Sequence, residues 1–152
     1  MNTQLLAVGK LQPMFREACE EYLARLRRYG PVDVREVKEA PASAAPAEQR
    51  RIEGQRLLEK LAERAVVVVL DREGRALSSE DLAQAVERWR QQPNPVALVI
   101  GGSTGLDRAV LERADRRWSL GPMTLPHQLA RLVVLEQWYR AHTIVHGEKY
   151  HK

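Results

Sequence analysis

The sequence predicts an α/β fold, a single domain over residues 1–152 built as a mostly parallel sheet flanked by helices. Three observations carry this. Short apolar runs alternate with amphipathic segments five times along the chain, as strands joined by crossover helices do. Two runs, 66–70 and 96–100, are apolar throughout and rich in β-branched residues, which suits strands buried on both faces. A chain of 152 residues can bury about two-thirds of its unfolded surface, and no internal repeat divides it.

Taken in order, residues 4–8 form a short apolar strand, and Gly9 and Lys10 turn the chain toward Pro13, suited to a first helical turn. Phe15, Ala18, Cys19, Tyr22, Leu26 and Tyr29 recur at helical spacing until Gly30 and Pro31 stop the helix. Val32 and Val34 alternate with Asp33 and Arg35, which predicts a strand over 32–37 with one polar face. The Ala-Pro stretch 41–46 is a flexible loop. A charged helix over 47–64 carries Ile52, Leu57, Leu58 and Leu61 inward, and strand 66–70 ends in a turn at 71–74. That places polar groups at the carboxyl edge of the sheet, where ligands bind in open α/β folds. Ser78 and Asp81 form a capping pair for a helix through Leu82, Val86 and Trp89.

After strand 96–100, residues 107–117 read as a helix with Val110, Leu111 and Ala114 inward and Arg113, Arg116 and Arg117 outward; 118–120 is a last short strand. The helix over 128–142 is apolar on more than one face, through Leu129, Leu132, Val133, Val134, Leu135, Trp138 and Tyr139. Such a helix must be covered twice, which predicts a second copy of the chain. A polar tail, 142–152, follows, with its histidines at the surface.

Composition narrows the function. The chain is 44% hydrophobic and 29% charged, and its apolar runs are far too short to span a bilayer. No secretory leader pattern opens it, so a cytosolic protein is expected. Cys19 is the sole cysteine, which excludes an intrachain disulfide and a cysteine zinc cluster. Lys and Arg exceed Asp and Glu by 24 to 20, and that excess favours a polyanionic partner. With 5% aromatic residues, an RNA partner would be held by phosphate contacts and shape rather than by stacking.

The chemistry-bearing stretch runs from 96 to 127. Gly101, Gly102 and Gly105 follow a strand and open a helix, so a ligand can approach the backbone closely and helix N–H groups point into the same space. The almost uncharged loop 121–126 can line that pocket with backbone polar groups and apolar walls, as a flat adenosine-type ligand requires. Taken alone, the glycine turn also fits a tight βα connection. Its spacing departs from the dinucleotide fingerprint and no P-loop lysine follows, which disfavours nicotinamide and nucleoside-triphosphate enzymes. His142 and His146 have metal-compatible spacing without a defined third ligand, and no metal is expected. His127 serves either the helix start or a substrate. Glu136 sits in an apolar helix with Arg140 at i+4, which fits a structural ion pair or a catalytic base.

Five motifs occur in order: Leu5-Leu-Ala-Val-Gly-Lys10, Ile100-Gly-Gly-Ser-Thr-Gly-Leu106, Met123-Thr-Leu-Pro-His-Gln128, Glu136-Gln-Trp-Tyr-Arg-Ala141 and His146-Gly-Glu-Lys-Tyr-His-Lys152. Together, over essentially the whole chain, they resemble the bacterial ribosomal RNA large subunit methyltransferase H family, of the SPOUT class. The resemblance implies methyl transfer from S-adenosylmethionine to N3 of a pseudouridine in 23S rRNA on the assembled ribosome, by a cytoplasmic homodimer with a C-terminal trefoil knot. Carried over by position, it implies cofactor contacts at Leu70, Gly102, Gly121, Pro122, Met123, Thr124, Leu125 and Pro126. Pro122 has no N–H and gives no backbone donor there. Glu136, His127, Tyr150 and His151 are the candidates for assisting loss of the N3 proton, with Arg140 orienting Glu136 or contacting phosphate. The basic tail, Arg113, Arg116 and Arg117 are the candidate RNA contacts. Two other readings compete: a dinucleotide-binding small-molecule enzyme, and a non-enzymatic ribosome-associated RNA-binding factor.

Overall fold

Strands β1 (Thr3–Val8), β2 (Val32–Val37), β3 (Val66–Ala76), β4 (Val96–Ile100) and β5 (Arg116–Ser119) pair into one sheet in the computed structural model, which describes residues 1–152. Every pairing is parallel and the order is β2-β1-β4-β3-β5. β1 and β4 are buried at every position because both faces are covered. Helices α1 (Pro13–Leu26), α3 (Ser79–Trp89) and α5 (His127–Val145) pack on one face; α2 (Pro46–Lys60) and α4 (Arg108–Arg113) pack on the other. Leu5, Leu98 and Trp138 anchor the first core, and Leu6, Val67 and Val99 the second. The Ser78 capping box is present, with Asp81 N–H donating to the Ser78 hydroxyl at 3.0 Å.

Four expectations are corrected. The turn expected at 71–74 is part of β3: Leu70 and Arg75 both face Trp118 of β5, so the four residues between them bulge out of register. Gly74 permits this, since a Cβ there would lie 2.6 Å from the Arg117 backbone. The helix expected to reach residue 64 ends at Lys60, and Arg64 turns the chain at φ 59°. α4 is only six residues long. Asp115 draws the chain into the sheet, because its N–H donates to the Val67 carbonyl and its Oδ2 accepts from Val67 N–H, so Arg116 and Arg117 lie on an edge strand rather than a helix. Finally, α5 runs on to Val145 and buries His142 among Trp138 and Tyr29, the latter ring stacked at 4.9 Å. Its first residues, by contrast, leave Leu129, Leu132 and Val133 half-buried. No helix is long and apolar enough to cross a membrane.

Burial above all, helped by the nearby charges of His146, the N-terminus and Arg90, pushes the His142 imidazole down to about 4 from 6.5. The folded state therefore binds a proton less readily than the unfolded chain. Stability from this group is complete above pH 6.5 and is lost as pH falls toward 4, by about 3 kcal/mol. Urea titrations between pH 7 and 4 are expected to show this loss in the wild type and a flatter profile in His142→Leu; equal profiles would overturn the assignment.

Candidate active site

A cavity of about 350 Å³ opens at the carboxyl ends of β3, β4 and β5. The β3 bulge supplies one wall through Leu70, Asp71 and Arg72; the glycine turn after β4 supplies the floor; the segment after β5 and the first turn of α5 close the far side. The turn is fixed from within and without. Gly105 N–H donates to the Gly102 carbonyl at 3.1 Å, and Arg50 donates to the Thr104 carbonyl at 3.3 Å. A Cβ on Gly102 would lie 3.0 Å from Glu53 Oε1 and 3.2 Å from Val8 Cγ1, so the turn packs tightly on its protein side. On the open side, Gly105 and Gly121 have φ of 87° and 112° and nothing within 4 Å of a built Cβ, which leaves a cradle that side chains would fill. The Thr104 hydroxyl, in the lining, has no hydrogen-bond partner.

Six of the eight expected contacts, Leu70, Gly102, Gly121, Met123, Thr124 and Leu125, line this one cavity. Pro122 and Pro126 do not; Pro126 instead sets the entry of α5 as its N-cap. The N–H groups expected to face the ligand from the helix after Leu106 are partly taken, because Asp107 accepts from Ala109 N–H at 3.3 Å. Sequence reasoning missed Arg72, which only the β3 bulge turns toward the cavity, and Ser119, which accepts from Gly121 N–H at 3.1 Å and so holds the loop. A serine ending a strand before glycine is the faint signal for the latter.

The catalytic candidates separate into two places. His127, the first residue of α5, lines the cavity and makes no capping bond, so the helix-start role falls to Pro126. Glu136, Arg140, Tyr150 and His151 meet nine or more residues further on, about 13 Å along the helix axis. There Glu136 Oε1 accepts from Arg140 at 2.7 and 3.1 Å and from the Tyr150 hydroxyl at 3.0 Å, while Oε2 accepts from Gln137 at 2.7 Å. Arg140 also lies 3.2 Å from His151 Nδ1, and His151 Nε2 is 2.7 Å from Glu80. Burial, then bonding to Tyr22 and Glu136, holds the Tyr150 phenol above its ordinary range; it is a proton donor near neutrality. The carboxylate of Glu136 is saturated by four donor contacts, the geometry of an ion pair that orders the tail.

Comparison with known proteins adds identity to this geometry. Residues 1–151 match the family model described as "Predicted SPOUT methyltransferase". The protein "Ribosomal RNA large subunit methyltransferase H" of Rubrobacter xylanophilus is 52% identical, over 97% of this chain and 96% of that protein. Its namesake from Anaeromyxobacter sp. strain Fw109-5 is 47% identical over 100% of both chains. A solved structure of a probable methylase family protein from Haemophilus influenzae shares the fold at TM-score 0.55 and 13% identity, over 99% of this chain and 70% of that one.

Because a Cβ on Gly102 would press on Glu53 and Val8, Gly102→Val is expected to displace the glycine turn and weaken methyl-donor binding at least about tenfold in calorimetric titration, with far-ultraviolet dichroism little changed. Unchanged affinity would remove the turn from the site.

Proposed function

The chain belongs to the SPOUT methyltransferase family, and we propose that it transfers a methyl group from S-adenosylmethionine to N3 of a pseudouridine in the 23S rRNA of the assembled ribosome, in the cytoplasm. The observation that carries this reading is the cavity itself: six residues expected to touch the cofactor converge on it from β3, the glycine turn and the 121–125 loop. Its volume suits a drug-sized ligand, and the unpartnered Thr104 hydroxyl and the two open glycines fit a ligand with polar and flat parts. Relatives whose names state methylation of large-subunit ribosomal RNA match the chain from end to end.

The bound cofactor supplies a methyl group already activated by its sulfonium, so neither metal nor Lewis acid is needed and the protein's task is alignment. Leu70, Leu106 and Leu125 are the apolar walls, and the backbone of the turn gives the polar edge. His127, at the cavity with its ring unbonded, is the residue placed to accept the N3 proton. Glu136 is a positioning residue: it holds Arg140 and Tyr150 by the bonds that they donate to it, and so sets where the C-terminal tail lies. Within one chain this cluster and the cavity are too far apart for a single base to reach both. The half-buried Leu129, Leu132 and Val133 at the start of α5 fit a homodimer in which one protomer's tail serves its partner's cavity.

Labelled S-adenosylmethionine offered to intact ribosomes and to separated subunits, with the product mapped by mass spectrometry, is expected to label one pseudouridine of the large-subunit RNA in intact ribosomes. No label would overturn the reading. Gly102→Val and Glu136→Gln protomers, each inactive alone, are expected to regain roughly a quarter of wild-type activity when co-expressed, because half of randomly paired dimers carry one intact composite site. No recovery would place both elements in the same protomer.

A further inference from the structure

A second cavity, of about 220 Å³, lies between α3 and the β3–β5 edge, and its chemistry is unlike that of the first. Four arginines line it, Arg75 of β3, Arg88 of α3, and Arg116 and Arg117 of β5, against one aspartate, Asp81. That aspartate is engaged, since its Oδ2 accepts from Ser78 N–H at 3.3 Å within the capping box. Arg117 is also engaged, donating to the Leu111 carbonyl at 3.3 Å and lying 4.0 Å from Asp71. The other three make no side-chain hydrogen bond and no ion pair.

That is a notable concentration for this protein. Most of its guanidinium groups are paired with carboxylates, as in Arg25 with Glu21, Arg51 with Glu48 and Arg140 with Glu136, or bonded to carbonyls, as in Arg50 and Arg56. Only Arg27, Arg64, Arg72, Arg75, Arg88 and Arg116 have no such partner; three of these six share the second cavity, and Arg72 faces the first. Four guanidinium groups gathered around a single carboxylate leave a net positive charge, and a polyanion relieves their mutual repulsion. Guanidinium forks match phosphate bidentately. Trp89 and Trp118 form the floor but are 7% and 4% exposed, so they offer no open stacking platform. Phosphate, not base, is what this groove can recognise.

The groove is also aimed. β5 carries Arg116 and Arg117 into the second cavity and, three residues after Arg116, Ser119 into the first, a step of about 10 Å along extended chain. β3 does the same with Arg75 and Arg72. We propose that this groove binds the phosphodiester backbone of the ribosomal RNA substrate beside the nucleotide that enters the cofactor cavity. The proposal rests on the RNA methyltransferase reading for its ligand, but its test does not depend on catalysis.

The test compares the triple variant Arg75→Gln/Arg88→Gln/Arg116→Gln with a control, Arg27→Gln/Arg64→Gln/Arg108→Gln, that removes equal charge elsewhere on the surface. Binding to intact ribosomes is measured from 50 to 300 mM salt, and methyl transfer is measured in parallel. The groove variant is expected to lose about two units of slope in log affinity against log salt. Its KM for ribosomes should rise about tenfold with kcat little changed, while its S-adenosylmethionine affinity stays that of the wild type. The control is expected to change far less. Equal slopes in the two variants, or wild-type binding by the groove variant, would overturn the groove. If the groove variant loses ribosome binding but free 23S rRNA does not compete with the binding of the wild type, the phosphodiester is overturned in favour of an acidic ribosomal protein. If the wild type transfers no methyl group yet the groove variant alone loses ribosome binding, the groove stands and the methyltransferase reading fails.

Discussion

Arg131 is 2% exposed, donates to Glu36 at 2.6 Å and to the Gly9 carbonyl at 2.9 Å, and thereby ties the last helix to the first two strands across 95 and 122 residues of chain. A charge this deep is tolerable only while it is paired, and stripping a partner from such a site costs about 3–5 kcal/mol. The pair holds α5 where it passes back from the β5 edge across the sheet to β1 and β2. Trp138 repeats the constraint two turns later, its indole N–H reaching Thr3 at 3.2 Å inside the core. With α5 held at those two points, its first turn has one place to go, and His127 and Ala130 become a wall of the cavity.

The opposite wall has a different origin. A parallel strand that simply stopped at Leu70 would leave a plain βα loop at the sheet edge. Here β3 resumes pairing with β5 at Arg75 after a four-residue bulge, and Gly74 lets the Arg117 backbone come close enough for it. The bulge turns Asp71 and Arg72 toward the cavity and leaves Arg75 on the far side, so one irregularity builds part of both cavities.

How much of this could be read from the chain follows from the range of each interaction. The apolar stretches 5–8 of β1 and 96–100 of β4 were legible because a strand covered on both faces is apolar where both sides are core, a property of four or five adjacent residues. The Ser78–Asp81 cap was legible for the same reason, and the glycine turn announced a pocket because close backbone approach leaves a local mark. Of β5 only the end was: a short strand was expected at 118–120, but its first two residues are exposed arginines that, next to α4, continued a helical pattern. Arg131 and His142 were illegible as buried groups because their partners stand far off in sequence, Glu36 for one and Tyr29 for the other. Of the site, the contact residues could be placed on elements and the predicted helix already set Glu136 nine residues from His127, but that Tyr150 and His151 return to Glu136 and Arg140 could not be seen, because the tail has no periodic pattern. The methyl donor and the RNA base came from resemblance, since no spacing in the chain encodes them.

Charge completes the argument from a different direction. A net charge of +4 spread over the surface attracts RNA only weakly, because most of the arginines that contribute to it already bond to a carboxylate or a carbonyl oxygen, five of them to glutamates one helical turn away. Of the six arginines left without a partner, Arg75, Arg88 and Arg116 face one cavity and Arg72 the other, and β3 and β5, which carry three of these four, also line the first cavity. A polyanion lying along β5 would therefore meet unpaired guanidinium groups beside the first cavity, so the same two strands that shape that cavity also place positive charge next to it.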